Sequence, residues 1–254
     1  MYNKNLRDKK ELIITQDGTK TLFSCEFNEA YHSTNDGALH ESLEKHIKPA
    51  FDLQQNKNHL TILDICFGLG YNTLSTLYYI QKENLNTQVH ILSPEFDKNL
   101  IHSLNRFEYP KEFDNLKHII KKLSQNLYYE DKQFKIEILL GDARESIPNI
   151  KQKIDIVYQD AFSSKKNPLL WTKEYFADIK KLCTNDAIIT TYSTATPVRM
   201  GLYENGFNIF LFKGKDVRSS TIASPKMLDI EYIDMELKKS RNLEAKSLKD
   251  SEFI

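Results

Sequence analysis

From residue 60 onward the chain alternates short apolar runs with helical patterns, and that alternation leaves few folds open. The apolar runs are "LTILDICF", "QVHILSPEF", "KIEILLGDA", "KIDIVYQDAF", "AIITTYST" and "FNIFLFKG". Between them, "YNTLSTLYYIQK", "DKNLIHSLNRF", "RESIPNI", "TKEYFADIKKLC" and "PVRMGLYENG", the last opening on Pro197, have helical spacing. Strands interleaved with helices predict a mostly parallel sheet with crossovers on both faces, a doubly wound α/β fold. The segment between Arg106 and Gln133 is longer than one connection needs and predicts an inserted helix or two. Upstream, "ELIITQDGTKTLFSCEF" has an Asp17-Gly18 step between two apolar runs, the signature of a tight β-hairpin. "NDGALHESLEKHIKPAF" then places Leu39, Leu43 and Ile47 at helical spacing, with a stop expected near Pro49. The expected organisation is a hairpin and helix cap over 1–58, a core over 59–233, and a charged tail over 234–254 that is helical without a strong apolar stripe.

Charge and cysteine usage narrow the function classes. Lys plus Arg equals Asp plus Glu at 35 each, so global charge names no polyanionic partner. Basic residues do cluster, at Lys4 to Lys10, Lys165 and Lys166, Lys213 to Arg218, and Lys238 to Lys249. Singly, each such cluster reads as solvated surface. Cys25, Cys66 and Cys183 are odd in number and far apart, which argues against a disulfide framework or zinc knuckle. His40 and His46 lie on different parts of a helix and make poor joint ligands, so no metal site is expected. The charged opening "MYNKNLRDKKEL" and the lack of a long apolar stretch point to a cytoplasmic protein without a membrane partner.

In doubly wound sheets the ligand lies beyond the carboxyl ends of the strands. Four consecutive strands here end at or next to a carboxylate: Asp64, Glu95, Asp142 and Asp160. Helix capping accounts for one or two acids at such positions. Four at one rim would repel a pyrophosphate, and Thr73 stands where the dinucleotide fingerprint needs its third small residue. An acidic rim suits a nucleoside with positive charge, such as S-adenosyl-L-methionine with its sulfonium and ammonium. On that reading Gly68 and Gly70 let the backbone approach the ligand. Glu95 accepts the ribose hydroxyls, Asp142 accepts the adenine amino group, and Asp160 faces the methyl acceptor. After Asp160 comes "QDAFSSKKNPLLWTKEYF". Phe162 and Trp171 suit either core or site, and Lys165 and Lys166 suit either surface or phosphate contact.

These stretches resemble the methyltransferase part of the MnmC family, bacterial enzymes that methylate 5-aminomethyl(-2-thio)uridine at the wobble position of tRNA. "DAFSSKKNPLLWTKEYF" is similar to the family's Asp-Gly-Phe-Ala-Pro-x-x-Asn-Pro-x-x-Trp segment. "FNEAYHSTNDGALHES", "FGLGYN", "SPEF", "GDARE" and "TYSTATPVRMGLYENGF" match further family stretches, in order, over roughly residues 10 to 225. The resemblance implies a Rossmann-like class I methyltransferase fold with Asp160 as the catalytic carboxylate. It implies cofactor contacts from Tyr31, Ser33, Glu41, Asp64, Phe67, Gly68, Gly70, Asn72, Glu95 and Asp142. It implies substrate contacts from Phe162, Lys166, Asn167, Pro168, Trp171, Tyr192, Arg199 and Arg218, with the tRNA anticodon stem-loop as partner. Three departures stand out. Cys66 replaces the first loop glycine, Ala161 replaces the glycine after the catalytic acid, and "GKDVRSSTIAS" keeps only Arg218 of a basic family ending. These residues hold no counterpart of the family's flavin-dependent half, which implies separate enzymes supplying the aminomethyl uridine.

An aliphatic amine acceptor is protonated near neutral pH, on the scale of lysine's pKa of about 10.4. Asp160 can accept its hydrogen bond, turn its lone pair toward the methyl group, and take or relay the proton. Phe162 and Tyr192 can stack on a flipped-out base. Two other readings compete. A polyamine synthase-like aminopropyltransferase, or another small-amine methyltransferase, uses a similar sheet, but the former's paired aspartates are replaced here by "QDAFSSKKNP". An RNA-binding scaffold with an inactive fold would not need all four rim acids.

Overall fold

A computed structural model of the chain describes residues 9–253. Of the basic cluster expected at Lys4 to Lys10, all but its end lies outside them. The N-terminal hairpin forms as expected, with β1 (Lys10–Ile14) antiparallel to β2 (Lys20–Ser24) and a short β3 (Glu29–Ala30) beside β2. Gly18 takes φ +80° in the turn, and Asp17 accepts hydrogen bonds from Thr15 Oγ1 and Thr19 N at 2.7 and 2.9 Å.

The next helix does not stop at Pro49. It runs from α1 (Ala38–Glu41) through a π-helical turn (Ser42–Ile47) into α2 (Lys48–Leu53). A proline inside an α-helix lacks an N–H and collides with the carbonyl four residues back. Here the preceding turn is widened, with Lys48 N–H bonded to Leu43 O, five residues back, and Pro49 sits at the start of the next α-turn. Widening absorbs the proline instead of ending the helix.

Among the described residues the main sheet has eight strands in the order β10-β11-β9-β8-β4-β5-β7-β6. Its parallel centre comprises β4 (His59–Ile65), β5 (Gln88–Glu95), β7 (Phe134–Leu140), β8 (Ile154–Gln159) and β9 (Cys183–Thr191). The crossover helices are α3 (Tyr71–Lys82), α4 (Lys98–Ser103), α5 (Lys117–Asn126), α6 (Ala143–Ser146), α7 (Lys173–Leu182) and α8 (Thr196–Tyr203). Between Arg106 and Gln133 the chain inserts α5, a preceding 3-10 turn, and also β6 (Tyr128–Glu130), an antiparallel edge strand. β10 (Asn208–Phe212) is the sixth run expected from the sequence. An unexpected strand, β11 (Ser220–Ser224), lies antiparallel between β10 and β9 with every residue buried.

Alternation along the central strands builds two cores. Leu60 and Ile62 of β4 and Ile156 and Tyr158 of β8 pack on one face, while Leu63, Ile65 and Val157 pack on the other. The order reverses at β4, between β5 and β8, so a crevice opens beyond the ends of these three strands. At the C-terminal end, α9 (Met235–Arg241) buries Met235, and Leu248 pairs with Thr172 at the start of α7. Asp250 accepts from Thr172 Oγ1 at 2.7 Å and forms an ion pair with Arg144, holding this segment against α6 and α7. Among the described residues no helix is long and apolar enough to cross a membrane.

Candidate active site at the carboxyl rim of the sheet

A cavity of about 390 Å³ lies over the ends of β4, β5 and β8, roofed by the segment after β3. Its lining brings together Tyr31, Ser33, Glu41, Phe67, Gly68, Asn72, Glu95, Asp142, Asp160, Phe162, Asn167, Tyr192 and Arg218, all singled out in the sequence. Asp64, Gly70, Lys166, Pro168, Trp171 and Arg199 do not reach it. Among the described residues six in the lining are acidic, Glu29, Glu41, Glu95, Asp97, Asp142 and Asp160, against Arg218 as the one Lys or Arg. Lys45 forms an ion pair with Glu41 and Lys10 with Asp97, which leaves Glu29, Glu95, Asp142 and Asp160 without a Lys or Arg partner among the described residues.

The loop "CFGLG" turns sharply between β4 and α3. Cys66, Gly68 and Gly70 have φ of +66°, +54° and +75°, and only glycine tolerates this region without strain. The two glycines serve the loop's own packing. A Cβ on Gly70 would lie 2.7 Å from the Phe67 ring, and one on Gly68 would lie 3.1 Å from Tyr31. Gly68 N–H donates to Glu95 Oε2 and Asp97 N–H to Glu95 Oε1, both at 2.7 Å. Burial pushes the Glu95 carboxyl up, and these two backbone donors partly offset it. Each oxygen keeps a further acceptor site. Asp142 caps α6, accepting from Arg144 N–H at 2.8 Å, and lines the opposite wall.

Asp64 lies beneath the loop. Its Oδ2 accepts from Thr73 Oγ1 at 2.7 Å, and its Oδ1 is buried without a hydrogen-bond partner. Burial, aided by the negative Asp160 and opposed by Thr73, pushes its carboxyl up to about 7. Thr73 therefore anchors the loop from below, at the position that disqualified the dinucleotide pattern.

Asp160 follows β8 and forms part of the cavity floor. Asn72 Nδ2 donates to its Oδ2 at 2.8 Å, and His46 Nε2 lies 3.5 Å from its Oδ1. Burial alone would push this carboxyl up, but His46, His32 and the Asn72 amide outweigh it and hold it below the usual carboxylate range. In the sequence neither His32 nor His46 stands out as a neighbour of Asp160. His46 bonds Thr190 Oγ1 through Nδ1 at 2.9 Å, and His32 bonds Thr21 Oγ1 at 2.8 Å. Burial lowers the His32 pKa, with Asp160 opposing. His40 does point elsewhere, to Lys215 O at the surface.

Beside Asp160, Phe162 stacks on Phe27 with centroids 4.6 Å apart and meets Tyr31 edge-on at 5.0 Å. Tyr192 OH donates to Ala161 O, and Trp171 Nε1 donates to Phe162 O at 2.8 Å. Trp171 is fully buried, so it holds the loop's backbone from the core. Arg199 is buried on Thr221 Oγ1, while Lys166 is exposed.

Residues 109–226 match the family of S-adenosyl-L-methionine-dependent methyltransferases. An uncharacterized protein of Methanocaldococcus jannaschii, MJ0670, is 31% identical over 212 residues, covering 81% of this chain and 56% of that protein. The tRNA 5-methylaminomethyl-2-thiouridine biosynthesis bifunctional protein MnmC of Campylobacter fetus is 26% identical over 221 residues, or 82% of this chain. This chain spans about half of the first relative and 36% of the second. The crystal structure of MNMC2 from Aquifex aeolicus superposes with a TM-score of 0.83 at 30% identity, covering 98% of this chain and 80% of that one. The acid-lined rim, the looped glycines and these similarities place the chain in the MnmC methyltransferase family of S-adenosyl-L-methionine-dependent enzymes.

Proposed function

We propose that this chain binds S-adenosyl-L-methionine in the rim cavity and methylates the exocyclic amine of 5-aminomethyl(-2-thio)uridine at the tRNA wobble position. The product is the 5-methylaminomethyl form. The observation that carries the reading is Asp160, kept ionised at a floor it shares with Asn72, backed by the buried His46 and flanked by Phe162. The carboxylates lining the cavity, against one guanidinium, fit a cationic methyl donor and oppose a phosphorylated dinucleotide. Glu95 would take the ribose hydroxyls, Asp142 the adenine amino group, and the Gly68 backbone the nucleoside edge. The bound donor supplies an electrophilic methyl group on a positively charged sulfur.

The chain's own residues do the rest by position and charge. A carboxylate held this low is a weak proton acceptor for an ammonium. Asp160 instead orients the free amine and stabilises the positive charge that grows on nitrogen as the new N–C bond forms. Phe162 and Tyr31 exclude water and offer a ring face to the base. Lys165 and Lys166 are exposed beyond the Asp160 loop and Arg218 stands at the cavity wall, and these cations would meet phosphates of an anticodon stem-loop. Separate enzymes would furnish the aminomethyl group.

Purified protein with methyl-labelled S-adenosyl-L-methionine should label tRNA that carries 5-aminomethyluridine, with no aminopropyl or methyl transfer to putrescine. Labelled putrescine and unlabelled tRNA would reject this substrate.

A further inference from the structure

Asp160 has one oxygen engaged by Asn72, and its other oxygen faces His46. The imidazole is fully buried, and among the described residues its Nε2 has no hydrogen-bond partner, with Asp160 Oδ1 at 3.5 Å. That separation is roughly half an ångström beyond a good N–H···O distance. Leaving a buried donor unpaired is costly, and a small turn of the carboxylate removes the cost. A lone pair on Nε2 would repel the carboxylate, so the proton belongs on Nε2. The Thr190 hydroxyl, 2.9 Å from Nδ1, can then donate to the other ring nitrogen and fix that tautomer.

The backbone explains why His46 points this way. It lies in the π-helical turn Ser42–Ile47, which precedes Pro49. A π-turn shifts the residues after it around the helix, and such turns recur at functional sites. Here the turn directs His46 onto β9 and the end of β8, 5.9 Å from the Tyr158 ring. The other groups facing Asp160 are Asp64 from β4, Cys66 from the loop, Asn72 from α3, His32 from the segment after β3, and Tyr192 after β9.

We propose that His46, with its tautomer set by Thr190, is a positioning residue that fixes the Asp160 carboxylate, turned and ionised, for the substrate amine. The proposal rests on the reading that Asp160 meets an amine. It is tested with His46→Leu, His46→Gln and Thr190→Val. The readouts are the carbon-13 NMR titration of Asp160 without tRNA, cofactor affinity by calorimetry, and the pH profile of kcat on aminomethylated tRNA. In His46→Leu the Asp160 midpoint should rise by about one unit or more, and the acid limb of kcat should move with it. At a pH on that limb, turnover should fall about tenfold. His46→Gln, whose amide N–H reaches the place of Nε2, should restore most of both. Thr190→Val, which leaves His46 itself intact, should give a smaller shift in the same direction. Cofactor affinity should change less than twofold throughout. A wild-type midpoint and pH profile in His46→Leu and Thr190→Val overturns the proposal. A shifted midpoint with no transfer to tRNA by the wild-type chain supports the His46–Asp160 coupling and rejects the substrate instead.

Discussion

Replacing Asp160 by Asn removes one charge and almost no volume, which isolates the electrostatic role. The Asn72 amide at 2.8 Å can donate to the new amide oxygen as it does to the carboxylate, so the floor keeps its shape. What disappears is the attraction between a full negative charge and the positive charge developing on the acceptor nitrogen. Two unit charges about 4 Å apart interact by about 4 kcal/mol at an effective dielectric of about 20. The Asp160 side chain is 16% exposed, so water screens it little, though part of the transferred charge remains on sulfur in the transition state. The expected loss in turnover is therefore about a hundredfold to a thousandfold. Single-turnover methyl transfer at saturating cofactor and tRNA measures it, with calorimetry confirming that cofactor affinity stays within a few-fold. A variant within tenfold of wild type would refute the electrostatic role. The stability signature is separate. The folded-state pKa of Asp160 is depressed, so its contribution is complete above the unfolded value of about 3.9 and is lost as pH falls through the folded value. Denaturation curves of wild type and Asp160→Asn should differ at neutral pH and converge only in acid.

Asp64 should behave in the opposite sense. Its folded pKa near 7 exceeds the unfolded value, so the stability it contributes is full below the unfolded pKa and is lost as pH rises toward about 7. Asp64→Asn should thus gain stability over wild type progressively between about pH 4 and 7, by roughly a few kcal/mol in urea unfolding, and a constant difference across that range would contradict it. Gly70→Ala meets both a φ of +75° and the Phe67 ring at 2.7 Å. It should lower stability by about 2–3 kcal/mol and weaken cofactor binding, measured by thermal shift and calorimetry. Cys66→Gly relieves a strained φ of +66° but loses a half-buried thiol and adds freedom to the unfolded chain, so its stability should stay within about 1 kcal/mol of wild type. Phe162→Ala, which removes the ring stacked at 4.6 Å on Phe27, should raise KM for tRNA about tenfold or more while leaving cofactor affinity unchanged.

The sequence exposes what is written locally and hides what the third dimension assembles. The parallel strands are legible because Leu60 to Ile65 and Ile154 to Gln159 carry apolar residues on both faces, the mark of a buried sheet. β11 escaped because "STIAS" is short and rich in small polar residues, yet it is buried between two neighbours that satisfy its backbone. The rim acids could be read from their positions at strand ends, since topology alone delivers such residues to one crevice. His46 could not, because nothing in its spacing from His40 points to Asp160, which lies far along the chain. Its signal is indirect: Pro49, read as a helix stop, sits just after the π-turn that carries His46. Arg199 and Trp171 illustrate the converse. Both sit in stretches that match the family and both are buried away from the cavity, Trp171 holding the Phe162 carbonyl and Arg199 the Thr221 hydroxyl. A matching motif therefore marks the residues that build a site as well as those that line it. Substitution separates the two: Trp171→Phe should lower thermal stability by losing the bond to Phe162 O, and it should change turnover only as far as the Asp160 loop moves with it.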